Sequence, residues 1–355
     1  MEILMKPTRE VLKVVGIDQS EEWDRIVKSF RNYDVNYLSG YVRAFQKHGD
    51  GEPLLFCYDD GTTKGMNVVM KRDIAKGNQF KGILPPDTWF DISTPYGYGG
   101  FWIEGAHPEV VENAYVAYCK EQGFVSEFVR FHLFNGYQDI FTGETESHTR
   151  NVVRSLDIEI DDIWMNFKGK VRTNVRRAEK YGLEVFIDEK GEKLDEFLDI
   201  YYGTMDRNDA KNYYMFTEDI FEVINKLNDN CVYFHALYGG KVISSELVLY
   251  GTENCYYFLG GTNKDYFHMR PNEFLKFEIM KAAKAKGFKR MVLGGGCGQD
   301  DGLFKYKEAF SPEGVCKFYT GKRIFNQEKY KELLKIRSED SDFDSDNEYF
   351  PQYRA

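Results

Sequence analysis

Apolar residues recur with two different periods along this chain, and the switches between them mark its elements. Apolar runs at 54–58 and 66–71, joined across the turn signal Asp60-Gly61, predict a β-hairpin. Runs at 232–238 and 242–250, joined by Gly239-Gly240, predict a second hairpin, with a further strand at 255–259. Helical spacing takes over at 271–287. Pro271 opens that segment, Leu275, Ile279, Ala282 and Ala283 form one stripe, and Gly287 closes it. Gly-Phe follows, then a strand at 289–293. The first half repeats this frame. Pro108 opens a helix, Val111, Ala114, Tyr115 and Tyr118 form its stripe, Gly123 closes it, and Gly-Phe leads to an alternating strand at 125–134. Equivalent positions lie 163 or 164 residues apart.

Each half therefore reads as helices, an antiparallel meander, a helix and a closing strand. The fold class is α+β (mixed α/β), with two tandem domains, each a mostly antiparallel sheet flanked by helices, and not a doubly wound parallel sheet. The segment 143–150 (GETESHTR) is polar and turn-like, and 152–160 reads as a strand that leads into the second unit. The expected domains are 1–152 and 153–335. Residues 336–355 form an acidic tail whose run SEDSDFDSDNE (338–348) holds six acidic and no basic residues, a pattern that predicts disorder.

Charge and composition narrow the function. The net charge of −10 is partly that tail, so the body is only mildly acidic. DNA is not an expected partner, and a phosphate contact must come from a local patch. No apolar run approaches the roughly 18–20 residues of a membrane span. The charged start MEILMKPTRE does not read as a secretory signal. The six cysteines are scattered without a C-x-x-C pair, which fits a reducing, cytoplasmic setting. The six histidines show no metal-binding spacing, so no metal is expected. Phosphate-loop and G-x-S-x-G signatures are absent from the sequence.

Five places carry candidate chemistry. The segment 168–180 (KGKVRTNVRRAEK) sets Lys168, Arg172, Arg176 and Lys180 on one helical stripe, with Arg177 beside it. This is a phosphate-binding face or a solvated basic surface. The loop DISTPYGYGGFW (91–102) joins Pro95 and three glycines to Tyr96 and Tyr98, which wall a substrate pocket or pack as an Ω-type loop. Arg207, near the end of an amphipathic helix at 194–208, is placed to hold an anionic substrate group or to cap the helix. Glu246 lies inside the apolar strand VISSELVLY. A carboxylate there is costly unless paired or raised in pKa, which makes it a candidate general base, unless it faces solvent on an edge strand. Finally, the strand at 291–293 runs into Gly294, Gly295 and Gly296, with Phe304-Lys305 shortly after. Glycines let a backbone approach a ligand, and the lysine brings a positive charge there.

These motifs together resemble the FemAB/FemX-type aminoacyltransferases and the wider group of tandem GNAT-like proteins of cell-envelope and surface-polysaccharide pathways. The resembling pieces are NVRRAEKYGLEV (174–185), YYGTMDRNDA (201–210), GGKVISSELVLYG (239–251), CYYFLGGT (255–262), RPNEFLKFEIMKAAKAKGF (270–288) and LGGGCGQDDGLFKYKEAF (293–310). The resemblance implies two GNAT-like acyltransferase domains, the first shaping the acceptor side and the second carrying the donor. It implies transfer of an acyl or aminoacyl group to an amine on a peptidoglycan or polysaccharide precursor. It implies no tightly bound cofactor, an aminoacyl-tRNA or acyl-CoA co-substrate, and an acceptor bearing a nucleotide or phosphate. Phe304 and Lys305 match the family's Phe-Lys pair at the acyl donor. Arg207, Tyr96, Tyr98, Tyr257, Asn272 and the three glycines fall on its substrate-contacting segments. The chain lacks the coiled-coil arm of the bridge-building enzymes, and its second-domain helix opens with Arg-Pro-Asn-Glu instead of a glycine-rich phosphate loop. A pair of GNAT-like domains that binds without catalysis is the alternative.

Overall fold

Both halves of the repeat fold as a meander whose last strand is followed by a helix and a returning parallel strand. The computed structural model describes residues 11–209, 212–296, 298 and 301–355. Two compact units form: Met1–Arg31, Asn36–Glu146 and Tyr319–Ala355 in the first, Asn32–Val35 and Ser147–Phe318 in the second.

The first unit contains β1 (Leu12–Gly16), α1 (Ser20–Val27), α2 (Ser39–His48), β2 (Glu52–Asp59), β3 (Thr63–Asp73), β4 (Phe90–Ser93), β5 (Trp102–Gly105), α3 (Pro108–Glu121) and β6 (Ser126–Arg130). Strands β1 to β4 pair antiparallel in succession, and β5 pairs with one end of β3. After α3 the chain returns as β6, parallel to β4. Phe56, Val69, Ile92 and Val129 from the strands pack on Val111 and Tyr115 of α3. The helix begins where Pro108 dispenses with an amide that the first turn cannot satisfy.

The second unit follows as β7 (Glu144–Ser155), α4 (Ile160–Asn166), α5 (Gly169–Lys180), β8 (Glu184–Asp188), α6 (Leu194–Arg207), α7 (Glu218–Asn225), β9 (Cys231–Tyr238), β10 (Lys241–Tyr250), β11 (Asn254–Thr262), α8 (Pro271–Ala285), β12 (Arg290–Gly294) and α9 (Gly302–Glu308). Its strand order is β7-β12-β11-β10-β9-β8, antiparallel throughout except for the β11–β12 pair. A parallel neighbour requires a crossover, and α8 supplies it. Val175 of α5 and Leu275, Ile279 and Ala283 of α8 pack on Ile243, Val248 and Met291. The chain then adds β13 (Val315–Ile324), antiparallel to β6, and α10 (Gln327–Ser338).

Three expectations change. Residues 143–150 are not a turn-like linker, since 144–155 form β7; the exposed polar side chains of its first half belong to a solvated strand. The units do not divide at 152 and 335, because the chain returns to the first unit from Tyr319 onward. The tail is not disordered throughout. Tyr353 is fully buried, and its hydroxyl lies 2.8 Å from the carboxylate of Asp91. Arg354 and Arg72 reach that same buried carboxylate at 2.6 and 2.7 Å. A buried Asp held by two guanidiniums and a phenol is a specific anchor, and the acidic run only loops out before it.

Candidate active site

The parallel pair β11–β12 is short. Asn254, Cys255 and Tyr256 pair with Arg290, Met291 and Val292, and no pairing between the two strands is recorded beyond that among the described residues. Strand β11 continues against β10, with an irregularity after Leu247 that leaves Phe258 as the extra residue. Strand β12 is irregular against β7 between Val292 and Gly294, and Gly294 has φ 81°. Bulges on both sides of a short parallel pair let its strands diverge, a device that re-aims side chains beside active sites.

Charged and phenolic groups gather at this divergence. Alternation along β10 turns Glu246 towards α8, where Lys276 interrupts a buried arc of Phe274, Leu275, Ile279 and Met280. Lys276 Nζ lies 2.6 Å from Glu246 Oε1, and both side chains are 1% exposed. The same Nζ stands 3.4 Å from the ring centroid of half-buried Tyr257. Lys307 of α9 is buried; its Nζ donates to the carbonyl of Gly295 at 2.6 Å and lies 5.6 Å from the Tyr257 ring. Glu246 Oε2 and the Tyr306 hydroxyl are both buried without a hydrogen-bond partner among the described residues. Burial pushes the Glu246 carboxyl up against the opposing pull of Lys276 and Lys307. Burial, then Glu273 and Glu246, pushes the Tyr306 phenol well up, so it stays protonated.

Of the residues singled out from sequence, Glu246 and Tyr257 stand in this cluster. Lys305 is exposed, whereas Lys307, two residues on, faces inward. Phe304 is a core side chain under the guanidinium of Arg150. The glycines shape the strand exit. Gly294 supplies the positive φ, and a Cβ on Gly296 would meet Asp301 Oδ1 at 2.3 Å, where Asp301 caps α9 through the amide of Phe304. Asn272 ties α8 to the sheet, its Oδ1 accepting from Thr262 Oγ1 at 2.7 Å and from Ser244 Oγ at 3.3 Å. Arg207 donates to Gly203 O and Thr262 O at 3.3 and 3.5 Å. The basic stripe is largely engaged locally. Arg172 donates to Met165 O and Phe167 O, Arg176 lies over Trp164, Arg177 over Tyr181, and Lys168 pairs with Glu308, while Lys180 is exposed. Tyr96 and Tyr98 belong to the first unit, the former stacked on Phe45 and the latter against His132.

Sequence reasoning missed Lys276, Tyr306 and Lys307. Each is a polar residue on an apolar helix row: Lys276 has Ile279 and Met280 at i+3 and i+4, Tyr306 has Leu303 and Phe310, and Lys307 lies between Phe304 and Phe310 at i±3. It also missed a Ser-His-Asp alignment. Ser245 Oγ is 2.8 Å from His235 Nδ1, and His235 Nε2 is 3.5 Å from Asp188. All three are buried, and Ser245 follows the opposite sheet face from its neighbour Glu246. Asp188 is occupied by the amides of Lys190, Glu192 and Lys193. This set closes a loop in the core.

Residues 165–308 match the family model described as an acetyltransferase (GNAT) domain. No curated protein matches the chain. Among solved structures, FemX superposes with a TM-score of 0.66 at 14% identity, covering 90% of this chain and 99% of that one. The C-terminal domain of a lysylphosphatidylglycerol synthetase of Agrobacterium fabrum gives 0.56 at 12%, with 90% and 96% covered. L-PGS of Bacillus licheniformis gives 0.56 at 14%, with 89% and 96% covered. The fold is thus that of tandem GNAT-like proteins, and its second unit carries the acyltransferase domain. Among the described residues no helix is long and apolar enough to cross a membrane.

Proposed function

We propose that the second unit transfers an aminoacyl group from an ester donor, the charged end of a tRNA, to an amine on a cell-wall or surface-polysaccharide precursor. The observation that carries this reading is the divergence of β11 from β12, lined by Glu246, Tyr257, Tyr306 and Lys307 within the acetyltransferase-matching segment. The likeness to FemX and to lysylphosphatidylglycerol synthetases favours aminoacyl over simple acyl transfer. So does the first turn of α8, where Glu273 puts a carboxylate at the point where a coenzyme diphosphate seeks positive potential.

The amine nitrogen attacks the ester carbonyl, a C–N bond forms, and charge gathers on the carbonyl oxygen. Lys307, held by Gly295 O, supplies a fixed positive charge for that oxyanion. The nitrogen gives its proton to Glu246 Oε2, the buried oxygen that no donor among the described residues occupies. The C–O bond then breaks, and the leaving oxygen takes a proton from Tyr306.

The test is transfer of a labelled amino acid. The protein is incubated with charged tRNA or with labelled acetyl-CoA, each with a nucleotide-linked amino-sugar or peptide precursor. Amide formation from tRNA alone is expected; amide formation from acetyl-CoA alone would move the assignment to an acyl-CoA-dependent sugar N-acetyltransferase. Absence of transfer from either donor, with binding of the precursor retained, would make the pair a binding module.

A further inference from the structure

Lys276 has no assigned part in the chemistry above, yet its placement is expensive. An ammonium at the centre of a buried helix face loses several kcal/mol of hydration, and a well-packed apolar residue commonly does as well or better for stability. Its Nζ occupies Glu246 Oε1 at 2.6 Å and lies on the Tyr257 ring. Glu246 Oε2, equally buried, has no donor among the described residues.

The first unit offers a contrast. Helix α3 opens with Pro108 as α8 opens with Pro271, and it carries the buried carboxylate Glu112 on its sheet-facing side. Both oxygens of Glu112 are filled: Oε1 by the amide and hydroxyl of Thr142 and by Arg323, Oε2 by the Tyr137 hydroxyl. Neither oxygen of that carboxylate is left open, as expected of a structural one. The pair in the second unit is closed on one oxygen and open on the other.

We propose that Lys276 is a positioning residue for acyl transfer: it clamps one oxygen of Glu246, keeps that buried carboxylate ionised, and presents the other oxygen to the attacking amine. This rests on the reading of Glu246 as the proton acceptor. Lys276 itself touches neither donor nor acceptor. Without it, burial acts on Glu246 with Lys307 as the remaining opposing charge, and the carboxyl takes up a proton at higher pH.

The experiment is Lys276→Met in the full chain, with Lys276→Gln as the variant that keeps an N–H towards Oε1 without its charge. Thermal unfolding establishes that each folds. The expected kinetic result is an acid limb of kcat/KM moved up by about one pH unit or more. A fall in kcat of ~10- to 100-fold at neutral pH, with KM unchanged and partial recovery at higher pH, is expected alongside it. An infrared difference spectrum against Glu246→Gln gives a readout independent of turnover. Wild type is expected to lack a protonated carboxyl band from Glu246 at pH 7, and Lys276→Met to show one. An unshifted limb together with an unchanged carboxyl band overturns the proposal, and so does failure of both variants to fold, since the pair would then serve the fold. If wild type transfers nothing but the carboxyl band still responds to Lys276, the reading of function fails while the control of Glu246 by Lys276 stands.

Discussion

Lys307 Nζ donates to the carbonyl of Gly295 at 2.6 Å, which fixes a buried ammonium at the end of the strand that leaves β11. Lys305, two residues earlier on the same short helix, is exposed. The two lysines therefore make a direct comparison. Lys307→Ala is expected to lower kcat by about 10²-fold or more, the usual consequence of removing one fixed oxyanion donor. Lys305→Ala is expected to leave kcat within a factor of about two, because an exposed side chain of this kind seldom contributes more than ~0.5 kcal/mol. Steady-state transfer by the two variants separates them; the reverse ranking sinks the assignment.

The Ser245–His235–Asp188 alignment bears on pH. Burial holds His235 below its ordinary value, with Asp188 pulling the other way. A histidine that is harder to protonate when folded binds fewer protons than the unfolded chain does. Stability is therefore full above the unfolded value of about 6.5 and falls as pH drops through it. Asp188 is lowered by the amides it accepts despite the opposing effect of burial, so its stabilisation is lost only at pH below about 4. Urea midpoints between pH 7.5 and 5 are expected to decline for wild type and to be flatter for His235→Gln.

Glu127 in the first unit has the opposite sign. Burial raises its carboxyl to about 7, against Arg323 and the Tyr115 hydroxyl. A carboxyl whose folded value is raised loses stability as pH rises from the unfolded value of about 4.3 through the folded one. Full ionisation costs at most about 3–4 kcal/mol on this scale. Glu127→Gln keeps an acceptor for Tyr115 and is expected to gain stability relative to wild type at pH 8 but not at pH 5. Equal differences at the two pH values would exclude a titrating Glu127.

The fold was legible because its punctuation is local. Pro108 and Pro271 each open a helix, Asp60-Gly61 and Gly239-Gly240 each close a hairpin, and all stand where expected. The burial of Glu246 was legible for a related reason, as that of a carboxylate inside an apolar strand. The lysines were not. Lys276 is buried because α8 is covered over a wide arc, and the width of that arc depends on how α5 and the sheet pack around it. The choice between Lys305 and Lys307 depends on helix phase. Asp301 caps α9 at Phe304, so Phe304 and Lys307, three apart, share the inner face and Lys305 does not. A start two residues later would turn the helix by more than half a turn. The tail misled because six carboxylates dominate its composition, while its order comes from Tyr353 and Arg354 beyond them.

That anchor gives the last expectation. Asp91 is fully buried and receives Arg72, Tyr353 and Arg354. Tyr353 also packs against Phe80 and Tyr330. Removing residues 349–355 takes away the phenol and one guanidinium and leaves a cavity where a fully buried aromatic stood. The aromatic alone is worth about 3–5 kcal/mol, and stripping partners from a buried carboxylate adds to that. The truncated chain is expected to lose at least that much from the first unit. Replacing Asp340, Asp342, Asp344 and Asp346 with Ser deletes most of the acidic run and keeps the anchor. That variant is expected to stay within about 1 kcal/mol of wild type, since exposed substitutions rarely exceed ~0.5 kcal/mol each; Asp340 pairs with Arg337, and the side-chain bonds of Asp342 and Asp344 are local ones, to the Ser341 hydroxyl and the Asp346 amide. Amide hydrogen exchange of β4 and β6 resolves the two cases. Rapid exchange there in the truncated chain, with protection retained in the serine variant, assigns the order to the final residues; the opposite pattern would assign it to the acidic run.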